Sequence, residues 1–171
     1  MTIRYRIVEA EPKHLAALPS IELAAASLLL PHAPISVLEE TTPDEVFRDA
    51  QRARRLWVAL VRGAPIGFAL VEMLGDSHSH LQEMDVSPRH GRQGVGTALV
   101  AKVLQWARRS GHDQTTLTTF RALPWNMPFY RKAGFEEICA ADWSAELRRI
   151  VAAENGRGLL QERRCVMRCR H

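Results

Sequence analysis

Residues 84–100 read MDVSPRHGRQGVGTALV, and no other stretch restricts the fold so strongly. A β-type run, HLQEMDV (80–86), gives way to Pro88 and then to glycines at 91, 94 and 96. An apolar periodic run follows at once and predicts a helix from Gly94 to Ser110, closed by Gly111. With the strand-like QTTLTTF (114–120) behind it, this is a strand–helix–strand unit, and such a crossover implies parallel pairing within a sheet. Glycine in the turn lets backbone N–H groups face outward and lets a ligand approach without meeting a Cβ. The first N–H groups of the helix lack intrahelical acceptors and carry the positive end of its dipole. Gly91, Arg92, Gln93, Gly94, Val95, Gly96 and Thr97 are therefore a candidate cradle for phosphate or pyrophosphate, with Arg89 and His90 at its rim. A tight glycine turn with a solvated basic flank is the alternative for the same residues.

The remaining chain fits around that unit. TIRYRIVEA (2–10) alternates as a strand does. Pro12 opens a helix through about Leu30, bent at Pro19. TTPDEVFRDAQRARR (41–55) predicts a second helix, with Thr42 as cap and Pro43 at its first position. LWVALVRGAPIGFALVEML (56–74) is a hairpin of two β-rich runs either side of Gly63-Ala64. Beyond Phe120 come a short helix in WNMPFYRKA (125–133), a strand in FEEIC (135–139), a helix over about 144–153 and a last strand, ERRCVMRCR (162–170). The expected fold is α/β (α+β): a mixed, mostly antiparallel sheet of about seven strands, with helices on both faces. No repeat or linker breaks the chain, so a single domain over 1–171 is expected.

Composition narrows the class. At 46% hydrophobic and 25% charged, the 171 residues suit a soluble globular protein. The net charge is +4, and no basic run is interleaved with aromatics, so no nucleic-acid partner is expected. Cys139, Cys165 and Cys169 show no C-x-x-C spacing, which argues against a zinc site or a disulfide scaffold and predicts no metal. The start, MTIRYRIVEAEPKH, has no signal-peptide core, and LAALPSIELAAASLLL (15–30) is broken by Pro19 and Glu22. It also falls short of the ~20 apolar residues a span needs, so a cytoplasmic protein with no membrane partner is expected.

Two familiar phosphate loops fail against the glycine segment. Gly91 and Gly96 have P-loop spacing, but Thr97 stands where lysine is required. Read as a dinucleotide fingerprint from Gly94, the third position is Leu99, too large for close helix–strand packing.

A third pattern matches. MDVSPRHGRQGVGTALV resembles the acyl-CoA loop Q/R-x-x-G-x-G/A of the GNAT N-acetyltransferase superfamily. WNMPFYRKAGF resembles that family's second signature, here Asn126, Tyr130, Gly134 and Phe135. The motifs stand in the expected order, and the predicted elements match the family's acyl-CoA N-acyltransferase fold from end to end. One departure is Gly91, where the family usually carries Gln or Arg, leaving Arg92 or Gln93 to substitute.

The resemblance implies an acetyl-CoA-dependent enzyme that acetylates a primary amine of a small molecule or peptide by direct attack in a ternary complex. It implies that backbone groups of Met84, Asp85 and Val86 hold the pantetheine arm, and that amides from Arg92 to Thr97 hold the pyrophosphate. Asn126 bonds the CoA arm or caps its helix, Phe129 and Trp125 line the groove or the core, and Tyr130 protonates the departing thiolate. His80, six residues before Val86, is the first candidate for the base that deprotonates the amine. Glu83 is the second, because a strand bulge reverses alternation; Gln82 stands where relatives carry a glutamate and cannot accept a proton. Glu39, Glu40 and Asp44 fall near the region that shapes the acceptor site, or form a solvated face. Family members are often dimers, so a homodimer is a further expectation. The competing readings are a CoA-binding module without catalysis and a basic nucleic-acid or protein adaptor.

Overall fold

The computed structural model describes residues 3–30 and 32–171. They form one mixed seven-stranded sheet in the order β1-β2-β3-β4-β5-β7-β6, with helices on both faces. The chain divides into two compact units, Met1–Glu72 with Leu81–Gln105 and Met73–His80 with Trp106–His171. The division passes through β4 (His78–Val86) and α4 (Val95–Arg109).

In the first unit β1 (Arg6–Glu9) pairs antiparallel with β2 (Leu56–Val61), and β2 with β3 (Ala64–Met73). Val61 pairs with Ala64, so the hairpin turn is Arg62–Gly63, one residue earlier than the Gly63-Ala64 of the sequence. Both turn residues have positive φ, +49° and +86°, the backbone a two-residue hairpin requires to follow strand twist. The helix expected from Pro12 to Leu30 is divided into a 3-10 turn (Pro12–Ala17), α1 (Leu18–Ala26) and a second 3-10 turn (Ser27–Leu29). Pro19 lies in the first turn of α1, where its missing N–H costs nothing, and so it restarts the helix.

A short α2 (Ile35–Leu38), which no periodicity announced, precedes α3 (Asp44–Arg52). Pro43, not Thr42, occupies the α3 cap position; Thr42 bonds to Glu22 instead. Leu18, Phe47, Leu56, Val58, Phe68 and Leu70 fill the core of this unit. The rings of Phe47 and Phe68 meet edge to face at 5.4 Å. Gly67 is required by close approach: a Cβ there would lie 2.7 Å from the carbonyl oxygen of Asp85.

In the second unit β4 begins at His78, two residues before the expected start, and His78, Ser79 and His80 pair parallel with Gln114, Thr115 and Thr116 of β5 (Gln114–Phe120). All seven residues of β5 pair antiparallel with β7 (Arg164–Arg170), whose other edge takes β6 (Glu136–Ile138). Between β6 and β7, α6 (Ala145–Gly156) is capped by Ser144, whose Oγ accepts the Leu147 N–H at 3.2 Å. Its inner face supplies Leu147 and Val151 to a core with Leu74, Ile138 and Val166. Among the described residues no helix is long and apolar enough to cross a membrane.

Candidate active site

The glycine turn is built as an anion cradle. After Val86, the Ser87 N–H donates to Ile66 O at 2.9 Å, and a 3-10 turn over Pro88–His90 leads to Gly91. Arg92 and Gly94 then take positive φ, +58° and +82°, and α4 starts at Val95. The first helical bond joins Ala98 N–H to Gly94 O at 3.0 Å. Among the described residues no backbone carbonyl accepts the N–H groups of residues 92–97. Nδ1 of His90 and Oε1 of Gln93 are buried in the same turn with no partner there. Orphaned polar groups of this kind are costly unless something binds them. Gly94 itself has no room to spare, since a Cβ would come within 3.3 Å of Tyr5 Oη. Val95 and Leu99 are buried, so packing holds the start of α4 in place. The N–H donors at the start of α4, rather than the acceptor Oε1 of Gln93, therefore fit an oxyanion group such as a pyrophosphate.

Along β4 the parallel ladder with β5 covers only three residue pairs and ends at His80 and Thr116. Leu81–Val86 of β4 and Leu117–Phe120 of β5 lie outside it. Met84, Asp85 and Val86, the residues assigned to the arm, fall in this stretch and are half-buried.

His80 lies deep, only 2% exposed, with Nδ1 2.8 Å from Thr116 Oγ1. The same hydroxyl lies 2.9 Å from Nε2 of His78. Burial, then the nearby His78 and Arg164, push the His80 imidazole down to about 3. A ring held neutral so far below neutral pH is a weak base. In the same unit Tyr130 stands in α5 (Met127–Lys132), half-buried between the rings of Phe129 and Phe135 at 4.9 and 5.8 Å. Asn126 occupies the cap position of α5, but its side chain makes no capping bond; its carbonyl accepts the Tyr130 N–H at 3.0 Å. The capping half of its expected role is not realised. Trp125 is exposed, so it is not a core residue.

Glu83 and Asp85 come together with a third carboxyl, Glu22 of α1. Burial, followed by the charges of Glu83 and Glu22, raises the Asp85 carboxyl well above the usual carboxylate range. A hydrogen bond to Glu83 adds to the shift, while Asp85 Oδ2 is buried with no partner among the described residues. Sequence reasoning saw Glu22 only as an interruption in an apolar run. Its position one residue after Ile21 and four after Leu18, both buried, was the available signal that it points inward. Glu39, Glu40 and Asp44 are all exposed, and Asp44 pairs with Arg48 at 3.3 Å, as in a solvated face.

Residues 23–135, well over half of the chain, match the model of the acetyltransferase (GNAT) family. The chain belongs to this family. A solved structure, the PaiA N-acetyltransferase from Thermoplasma acidophilum in complex with coenzyme A, superposes with a TM-score of 0.76 at 13% identity, covering 99% of this chain and 100% of that one. The ribosomal-protein-S18-alanine N-acetyltransferase of Escherichia coli gives 0.68 at 18% identity, covering 98% and 94%. N-acetyltransferase family 8 member 3 of Mus musculus is 30% identical over 86 residues, which is 47% of this chain and only 38% of that protein. The match thus spans well under half the length of this relative.

Proposed function

We propose that this GNAT chain is an N-acetyltransferase that moves the acetyl group of acetyl-CoA to a primary amine, with residues 1–171 acting as one catalytic domain. The observation that carries the reading is the row of backbone N–H groups at 92–97 with no backbone acceptor among the described residues, set at the start of a helix. In this reading those amides hold the pyrophosphate, helped by Gly91 and by the side chains of Arg92, Gln93 and Thr97. The backbone of Met84, Asp85 and Val86 holds the pantetheine arm, and the Met84 N–H faces the thioester oxygen, where negative charge develops. Asn126 and Phe129 steady the arm.

Acetyl-CoA supplies an acetyl group activated as a thioester. The protein's own groups manage the protons. An alkylammonium must lose a proton before its nitrogen can form the new C–N bond. Glu83 is assigned that proton, directly or through water, because His80 is buried and neutral. As the C–S bond breaks, the leaving thiolate takes the phenolic proton of Tyr130, whose hydroxyl is an O–H donor. The nitrogen sheds its second proton as the amide forms, and that proton restores the Tyr130 phenol. The products are an amide and a free thiol, and the first proton leaves Glu83 for solvent.

Titration calorimetry with acetyl-CoA, followed by a thiol-release screen over mixed amines, tests the reading. Binding with turnover of at least one amine supports it. A chain with no affinity for acetyl-CoA overturns it.

A further inference from the structure

The β6–β7 ladder keeps one register, with Glu136 opposite Arg168, Glu137 opposite Met167 and Ile138 opposite Val166. Carried one residue further, that register sets Cys139 opposite Cys165. The backbone supports the step, because Cys139 is still extended, at φ −79° and ψ 163°. The chain turns away only after it, in the 3-10 turn Ala140–Asp142. Cys165 lies inside β7, held on its other side by pairing with Thr119 of β5. Directly opposite residues of an antiparallel pair keep their Cα atoms about 4.5–5.5 Å apart, and a disulfide spans about 4.4–6.8 Å. Their side chains also leave the sheet on the same face. A second observation agrees: Cys139 and Cys165 line one cavity of about 250 Å³.

The thiols differ in what reaches them. All three cysteines of the chain are free. Cys139 is exposed, and its Sγ donates to Asp142 Oδ2 at 3.5 Å. Cys165 is only 4% exposed; burial, then the charge of Glu137, holds its thiol above the ordinary range. Cys169 is buried too, but it lies four residues further along β7. That is about 13 Å from Cys165 at ~3.3 Å per residue, beyond the ~7 Å a disulfide can bridge.

We propose that Cys139 and Cys165 form a reversible redox pair, in which Cys139 reacts first with a peroxide and Cys165 closes the disulfide. Sγ of Cys139 attacks one peroxide oxygen and the O–O bond breaks. The sulfur becomes a sulfenic acid, and the other oxygen leaves as water with the thiol proton. Sγ of Cys165 then attacks the Cys139 sulfur, the S–S bond forms, and hydroxide leaves as water with the Cys165 proton. The two thiols together give up an electron pair, and the peroxide is reduced to two waters. The new bond closes residues 140–164, α6 among them, into a loop that a dithiol reductant reopens. The pair stands independently of the acetyl-transfer reading.

The test exposes the full chain to a small excess of hydrogen peroxide at neutral pH. Remaining thiols are counted in denaturant, then alkylated, and the protein is digested with trypsin without reductant. The expected result is loss of two of the three thiols, with residues 133–148 joined to residues 165–168 until dithiothreitol parts them. In Cys139→Ala both remaining thiols survive the same dose. In Cys165→Ala no link forms, and dimedone traps a sulfenic acid on Cys139. Three intact thiols, oxidation of Cys139 alone in the unsubstituted protein, a link to Cys169 or a link to a second chain would each overturn the pair. Loss of the Cys165 thiol in Cys139→Ala, or no dimedone adduct in Cys165→Ala, overturns the order of attack.

Discussion

Acidification offers a sharp check on His80. Its ring lies at the last pair of the β4–β5 ladder, 2% exposed, bonded to Thr116, with its pKa pushed down to about 3 from an ordinary 6.5. The folded state therefore refuses a proton that the unfolded chain binds. Stability from this group is complete above pH ~6.5 and drains away as pH falls toward ~3, about 5 kcal/mol in all at 1.36 kcal/mol per pH unit. Between pH 7 and pH 5 the loss is about 2 kcal/mol. In His80→Asn the amide still reaches Thr116 but cannot titrate, so that share of the loss disappears. Urea unfolding of both proteins at pH 7 and pH 5 measures it as a double difference. Away from Thr116, the other histidines that burial pushes down, His14, His112 and His171, titrate in both proteins and cancel. His78, which shares the Thr116 hydroxyl, is changed to Asn in both. Equal losses in the two proteins would refute the neutral, buried ring. So would a pH–rate profile whose limb near pH 6–7 vanishes in His80→Asn, which would return the role of base to this residue.

The cradle, the phenol of Tyr130 and the Glu22–Thr42 contact each give a test. Gly94→Val places a side chain at φ +82°, 3.3 Å from Tyr5 Oη at the Cβ, and should abolish acetyl-CoA binding by calorimetry; unchanged affinity removes the cradle. Tyr130→Phe should lower kcat about 10²-fold or more with the acetyl-CoA Kd unchanged, whereas wild-type turnover ends the acid role. Thr42→Val deletes one hydrogen bond to the buried Glu22 and should cost about 1.5–3 kcal/mol in chemical unfolding. Limited proteolysis should then cut faster within residues 23–41, and an unaltered cutting pattern would show that the bond does not hold the segment.

Local chemistry made much of the molecule legible in the chain. The strand–turn–helix at 80–110 and the hairpin at 56–74 follow from periodicity and turn residues that act over a few positions, and the structure keeps both with end shifts of one or two residues. The GNAT membership was legible for the same reason. Both motifs, the glycine turn at 91–96 and the set Asn126, Tyr130, Gly134 and Phe135, are short patterns that the chain displays locally. What tertiary structure decided is what depends on partners distant in sequence. Thr42 had every local mark of a helix cap, yet Glu22, twenty residues earlier, offered two buried carboxylate oxygens and won both its donors. His80 looked like a histidine poised near neutral pH. Pairing with Thr116 and burial in the sheet turned it into a weak base, since the energy of a charge depends on the medium around it and no stretch of sequence carries that medium.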